Sequence, residues 1–218
     1  MSRLLFEKTG NAVWISHLDL MRVFQRSFRR AGFLLKHTGG FNQHAYVSLA
    51  LPLSVGTESH CEILEYELDD PASPEEVRER LNRALPGGVI VLQVYESTVK
   101  LGRLARLHCR VELEYDNGIP EEAEKAVRAL FSRESVTIDK RTKRGTAEVD
   151  LIPMIFSLVI SEKDPCTLLL DAVISAQNPS MNPTQFGTAI EKFIPEFRPD
   201  FLRCERLEVL AEDGTVFR

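Results

Sequence analysis

The chain has 218 residues, of which 44% are hydrophobic and 27% charged, and its formal net charge at pH 7 is −5. This is the composition of an ordinary globular protein, and no low-complexity tract interrupts it. The longest apolar run, residues 151–160, is too short to span a bilayer, which needs about 20 residues, and the N-terminus lacks an export signal, so we expect a cytoplasmic protein with no membrane partner.

Residues 1–99 are predicted to form a first unit that alternates strands and helices. RLLFEKTG is a predicted strand, and SHLDLMRVFQRSFRRAG is a helix that Ser16 caps and Gly32 ends. AYVSLALPL and HCEILEYEL follow as strands, SPEEVRERLNRALPGG as a second helix with Ser73 as its cap, and VIVLQVYES as the last strand. This β-α-β-β-α-β order is typical of a ferredoxin-like unit.

Residues 104–218 repeat this order less cleanly, after a boundary near residues 99–105. ARLHCRVELEY, FSLVISE, CTLLLDAVIS and ERLEVLAED are predicted strands, PEEAEKAVRALFSR and NPTQFGTAIEKFI are helices, and VTIDKR with TAEVDL forms an extra hairpin. The predicted fold class is therefore α+β, with two ferredoxin-like units in tandem, the second with an extra hairpin. The competing interpretation is a single α+β sheet with helices on one face.

The four cysteines are each alone in their segments, and no CxxC spacing occurs, so neither a zinc ribbon nor a cysteine-ligated cluster is indicated. Cys61, Cys109 and Cys204 lie in or beside predicted strands, where a free thiol behaves as a small buried hydrophobe. We therefore expect structural cysteines, no metal and no cofactor.

The first helix combines an apolar side with a cationic one. Leu20, Phe24 and Phe28 recur at helical spacing and should pack on the sheet. Residues 20–57 contain five basic residues and no acidic one, whereas the rest of the chain carries 22 basic against 32 acidic residues. Because like charges one turn apart repel, either acids from elsewhere in the fold or an anionic ligand must neutralise them. The five are Arg22, Arg26, Arg29, Arg30 and Lys36.

His17 lies in the first turn of this helix, where the partial positive charge of the helix suits an anion. It is predicted either to contact a phosphate or act as a general acid or base, or simply to pack against the neighbouring loop.

The loop KHTGGFNQHAY, residues 36–46, is the second candidate. Its glycines allow close approach of main-chain N–H groups to a ligand, its histidines and asparagine supply neutral donors and acceptors, and its aromatics suit stacking on bases. It is not a P-loop, and the spacing of its histidines does not favour a metal site. The candidates are His37, Gly39, Gly40, Phe41, Asn42, His44 and Tyr46.

Two further patterns concern catalysis and charge. The turn DKRTKRG adds Lys140, Arg141, Lys143 and Arg144, either as a charged hairpin tip or as a second basic wall.

No Ser-His-Asp order or GxSxG elbow is present, so histidine acid/base chemistry on an RNA phosphodiester is the simplest catalytic hypothesis.

The run WISHLDLMRVFQRSFRRAGFLLKHTGGFNQHAYVSLALPLSVGTES resembles a family of uncharacterised bacterial proteins described as radical-SAM-linked. The motif SHLD…RRAG…GFN…PL.VG.ES carries the resemblance, which is strong over residues 3–70. It implies a stand-alone chain that works with a separate radical S-adenosylmethionine enzyme, because the CxxxCxxC of such an enzyme is missing here. Gln43 and Ala45 stand where the family tends to have proline.

The resulting prediction is an accessory RNA-binding protein that works with a radical S-adenosylmethionine enzyme in RNA modification or processing. One alternative is a metal-independent RNA-processing enzyme that uses His17 and His44 as acid and base. Another is a protein-binding module that docks its basic face on the radical enzyme. The predicted anion-binding residues are His17, Arg22, Arg26, Arg29, Arg30, Lys36, Gly39, Gly40, Asn42 and His44.

Overall fold

The structure, a computed structural model, describes residues 1–39, 41, 43–142 and 145–218. It confirms a mixed α+β fold, with four α-helices among these residues. The chain divides into two compact units, Met1–Arg103 together with Phe217–Arg218, and Leu104–Val216.

Among its described residues, the first unit contains four strands and two α-helices. Strand β1 pairs antiparallel with both β3 and β4, and β2 pairs antiparallel with β3, which gives the strand order β4-β1-β3-β2. The elements are β1 (Ser2–Lys8), α1 (His17–Arg30), β2 (Val47–Leu49), β3 (Thr57–Tyr66), α2 (Pro74–Ala84) and β4 (Val89–Glu96).

The apolar side of α1 forms the core of this unit, as its spacing predicts. Leu20, Phe24 and Phe28 are fully buried. The ring of Phe24 meets Phe6 of β1 edge-on, with 4.7 Å between the ring centroids. Burial of each such side chain stabilises the fold by about 1.5–3 kcal/mol, so α1 is fixed on the sheet and its opposite side is left for other contacts.

Both helices of the first unit begin where their caps predict. The Ser16 hydroxyl accepts a hydrogen bond from the Asp19 N–H at 3.2 Å, and Ser73 accepts one from the Glu76 N–H at 3.2 Å. Each hydroxyl satisfies a backbone donor that has no partner within the helix. Gly32 follows α1 with φ +77°, in the left-handed region that favours glycine after a helix.

The second unit contains a four-stranded antiparallel sheet in the order β10-β5-β9-β8, and a separate hairpin of β6 and β7. The edge-on contact of Phe131 with Phe186, at 5.1 Å between centroids, joins its two helices. The elements are β5 (Leu104–Glu114), α3 (Ala123–Phe131), β6 (Thr137–Thr142), β7 (Gly145–Asp150), β8 (Ile155–Asp164), β9 (Thr167–Ser175), α4 (Gln185–Phe193) and β10 (Phe201–Ala211).

The cysteines are free thiols. Cys61, Cys109 and Cys204 are buried, as expected, whereas Cys166 is exposed. Burial raises the pKa of Cys109 and of Cys204 to about 12, so both stay protonated and unreactive at neutral pH. No α-helix in the described ranges is long and apolar enough to cross a membrane.

Candidate functional site

Two of the five predicted cations are neutralised by acids of their own unit. Arg22 donates a hydrogen bond to the Asp19 carboxylate at 2.8 Å, and Lys36 lies 3.4 Å from the carboxylate of Glu67. Hydrogen bonds from Ser16 and then from Arg22 hold the pKa of Asp19 below its ordinary value, so this carboxylate stays charged beside Arg22. The pair lies at i, i+3 spacing, which the sequence interpretation overlooked when it left Arg22 unpaired.

Arg30 has a structural role instead. Its guanidinium donates to the carbonyl of Ala84, the last residue of α2, at 2.7 Å. In return, Arg80 of α2 donates to the carbonyl of Ala31, just after α1. The last carbonyls of a helix have no partner within it and carry partial negative charge, so each arginine caps the end of the other helix.

Arg26 and Arg29 remain exposed, and neither has an ion-pair partner in the part of the chain that the structure describes. They are i, i+3 neighbours on α1, and both line a cleft with a volume of about 420 Å³ inside the first unit. The other residues that line this cleft are Gln25, Phe33, Leu34, Leu35, His37, Ala45 and Asp69.

One wall of the cleft is the segment that follows α1. The Phe33 N–H donates to the Phe28 carbonyl at 2.9 Å, which turns the chain back along the helix after Gly32. Leu35 forms an antiparallel bridge with Leu68 beyond β3. Phe33 and Leu35 are buried, so they give the cleft an apolar floor.

The described residues of the loop 36–46 fold back on one another and close the other side of the cleft. The Tyr46 N–H donates to the Lys36 carbonyl at 2.7 Å, and the Thr38 N–H donates to the His44 carbonyl at 2.9 Å. The side-chain amide of Gln25 donates to the Ala45 carbonyl at 3.1 Å and fastens the loop to α1.

These contacts determine where the predicted loop residues lie. His37 bridges Ala45 and lines the cleft. His44 is exposed, and its Nδ1 lies 3.2 Å from the Thr38 hydroxyl. Gly39 and Phe41 belong to the tip, where Phe41 is fully exposed. The predicted residues Gly40, Asn42, Lys143 and Arg144 lie outside the described residues.

His17 lies outside this cleft. It precedes Gln25, the residue that holds the loop, by eight positions, which is about 12 Å along the helix axis at a rise of about 1.5 Å per residue. Its Nδ1 is buried, and in the described ranges of the chain it has no hydrogen-bond partner. The structure thus brings His37, Arg26 and Arg29 to one cleft and places His17 two turns away from it.

Two polar residues of the cleft, Gln25 and Asp69, were not predicted from the sequence. Gln25 lies among the α1 arginines, and the sequence prediction assigned it no role. Amide side chains commonly donate hydrogen bonds to backbone carbonyls, as Gln25 does to Ala45. Asp69 follows β3, and its N–H donates to the Leu34 carbonyl at 2.9 Å. Because this hydrogen bond joins segments that are far apart in sequence, no local sequence pattern predicts that Asp69 lies in the cleft.

Residues 2–183 match a family model described as "Uncharacterized protein conserved in bacteria (DUF2344)", and the chain therefore belongs to this family. No curated protein matches it.

Among solved structures, a chain of a Cbf5-Nop10-Gar1 complex has a TM-score of 0.52 and 8% identity, with 97% of this chain and 50% of that chain covered. A chain of the archaeal box H/ACA sRNP Nop10-Cbf5 complex has a TM-score of 0.47 and 10% identity, with 94% and 46% covered. This chain thus spans about half the length of both, and at 8% identity the first likeness shows the fold alone.

Proposed function

We propose that this member of the bacterial family is a cytoplasmic accessory protein that binds RNA in the cleft of its first unit and works with a radical S-adenosylmethionine enzyme in RNA modification or processing. One observation supports the proposed RNA binding. Arg26 and Arg29 keep exposed guanidinium groups beside an apolar-floored cleft, whereas the other α1 arginines have partners within the unit.

The chemistry of the cleft suits a single-stranded nucleic acid better than a bare anion. Guanidinium groups bind phosphate through paired hydrogen bonds, which also relieves the repulsion between Arg26 and Arg29. The apolar floor can cover a base, and the exposed ring of Phe41 at the loop tip offers a stacking surface. A bare phosphate would leave both apolar features unused.

The test is the salt dependence of binding to a labelled single-stranded RNA, measured by fluorescence anisotropy between 50 and 300 mM salt. Each lost phosphate contact lowers the salt slope by about 0.7, so Arg26→Gln should reduce it by about 0.7, and Arg26→Gln with Arg29→Gln should weaken binding at least tenfold. Arg22→Gln is the matched control, since it removes the same charge from the same helix where Asp19 already neutralises it. Failure of the wild-type protein to bind RNA at 50 mM salt, or equal losses in the control, would contradict the proposal.

The radical-enzyme partner rests on the family resemblance and on a second surface of the same unit. Trp14, Leu18 and Val55 are exposed by 63%, 65% and 53%, and the Trp14 ring lies beside Gly56. Large exposed apolar side chains within a short stretch of chain, as Trp14 and Leu18 are, favour a protein contact. We expect co-purification with the radical enzyme to survive nuclease treatment and to be lost in Trp14→Ser with Leu18→Ser, while RNA binding persists. Loss of the complex on nuclease treatment alone would refute direct docking.

We also propose that each unit is ferredoxin-like. The strand orders β4-β1-β3-β2 and β10-β5-β9-β8, with two helices in each unit, support this. The alternative of histidine catalysis requires His17 and His44 to reach one phosphodiester. RNA cleavage in EDTA that is lost in His17→Ala would favour that enzyme, and unchanged RNA over hours would count against it.

A further inference from the structure

We infer that the cleft selects guanine among the bases of its RNA, with Asp69 and Arg29 reading the base at one end and Arg26 holding the adjoining phosphate at the other. The inference rests on the proposed RNA binding and adds a base specificity to it.

Backbone contacts place Asp69 and Arg29 at the same end of the cleft. The Asp69 N–H is bonded to the Leu34 carbonyl at 2.9 Å, and the Gly32 N–H is bonded to the Arg29 carbonyl at 3.0 Å. Leu34 follows Gly32 by two residues, so the backbones of Asp69 and Arg29 both lie at the end where α1 stops, and the two residues line the cleft there. This end therefore presents a carboxylate and a guanidinium to whatever occupies the cleft.

The opposite end of the cleft contains Arg26 and His37 and, among the described lining residues, no acid. The bond from Gln25 to Ala45 and the bridge from Ala45 to His37 place His37 near Gln25, which precedes Arg26 in the middle of α1. Among the described residues that line the cleft, Asp69 is the one acid, and it belongs to the other end. A phosphate is therefore favoured beside Arg26 and disfavoured beside Asp69.

The group beside Asp69 must offer hydrogen-bond donors, because an ionised carboxylate only accepts. In the described ranges Asp69 has no ion-pair partner, so its oxygens are available. Guanine offers two adjacent donors, N1–H and the 2-amino group, on the edge that a carboxylate can pair with. It also offers O6 and N7, the pair of acceptors that arginine binds most often.

The other bases do not match both groups. Adenine and cytosine place an acceptor next to their amino donor, which would face the carboxylate of Asp69, and uracil has a single ring N–H. The cleft volume of about 420 Å³ lies in the range of about 300–1,000 Å³ found for small-ligand sites, so one nucleotide fits.

The test measures binding of the full chain to five RNA pentamers, UUGUU, UUAUU, UUCUU, UUUUU and the inosine form UUIUU, at one low salt concentration. One bidentate base contact typically discriminates by about 5-fold to 150-fold, so UUGUU should bind at least fivefold more tightly than the A, C and U pentamers. Inosine lacks the 2-amino group, and UUIUU should lose affinity in the wild-type protein but not in Asp69→Asn. Asp70→Asn is the matched control, because it makes the same change at the neighbouring exposed residue, which does not line the cleft.

A guanine preference that disappears in Asp69→Asn and Arg29→Gln, while Arg26→Gln weakens all pentamers alike, would support the inference. Equal binding of all pentamers, or a preference that survives Asp69→Asn, would overturn it and leave RNA binding standing. Absence of binding to every pentamer and to longer RNA would overturn both.

Discussion

Replacement of Gly32 by alanine should destabilise the first unit by about 2 kcal/mol, because two separate penalties meet at this residue. Its φ of +77° lies in the left-handed region, and a Cβ built there would lie 2.5 Å from a terminal nitrogen of Arg80. That nitrogen is the donor that caps α1 at Ala31. The substitution therefore strains the backbone and displaces one of the two reciprocal caps.

The magnitude follows from three terms. Left-handed backbone costs a residue with a side chain about 1–2 kcal/mol. Loss of the Arg80 hydrogen bond adds about 1 kcal/mol, a reduced figure because the Arg80 side chain is 38% exposed. Alanine has less conformational entropy than glycine in the unfolded chain, which offsets the loss of stability by about 0.4–1 kcal/mol. The net loss is about 2 kcal/mol.

Urea unfolding followed by fluorescence measures this loss, because Trp14 is the one tryptophan of the sequence and belongs to the first unit. With a urea slope of about 2 kcal/mol per molar, the midpoint should fall by about 1 M. Gly10→Ala, at φ +54° with open space around it, should cost about 1 kcal/mol or less, since it has the backbone penalty alone. Gly39→Ala, with neither feature, should stabilise the unit by up to about 1 kcal/mol, since only the entropy of the unfolded chain changes. A Gly32→Ala midpoint equal to that of Gly10→Ala would refute the capping role of Arg80.

Three further predictions concern stability. Arg3→Met should lower the free energy of unfolding by about 3–5 kcal/mol, because it leaves the buried carboxylate of Glu65, now paired with Arg3 at 2.7 Å, without a partner. Adding Glu65→Leu should restore most of the urea midpoint, and no recovery would contradict this reasoning. Burial raises the pKa of Tyr115 to about 12, above its unfolded value of about 10, so its stabilising effect is complete below pH 10 and is lost as the pH rises to about 12. Urea titrations of Tyr115→Phe followed by circular dichroism should therefore show a weaker alkaline loss than the wild type, and parallel curves would refute this. Arg30→Ala should lower the urea midpoint by uncapping α2 at Ala84 yet leave the salt slope of RNA binding unchanged, whereas a lower slope would place Arg30 in the interface.

Local patterns predicted the helices of the first unit well. The Ser16 and Ser73 caps act over three residues, so the sequence contains everything needed to recognise them. The predicted strand AYVSLALPL is strand only over Val47–Leu49, because the Tyr46 N–H donates to Lys36 instead and Pro52 has no N–H to donate to a ladder.

The candidate site was harder to predict, because the sequence shows which residues share a helix face but not what they meet. Arg30 and Ala84 are separated by 54 positions, and only the packing of α1 against α2 brings them together. The difference between Arg30, which is a cap, and Arg26, which is exposed, is therefore a tertiary property. Asp69 enters the cleft through its backbone bond to Leu34, another contact that local periodicity does not contain.

The most direct test of the central claim is photo-crosslinking of a 4-thiouridine-containing single-stranded RNA to the full chain, with the linked peptides identified by mass spectrometry. Binding in the cleft predicts crosslinks within residues 25–37 and around Asp69, and their loss in Arg26→Glu with Arg29→Glu but not in Arg22→Glu. Crosslinks confined to the second unit, or unchanged by the Arg26 and Arg29 substitutions, would contradict the claim that this cleft binds RNA.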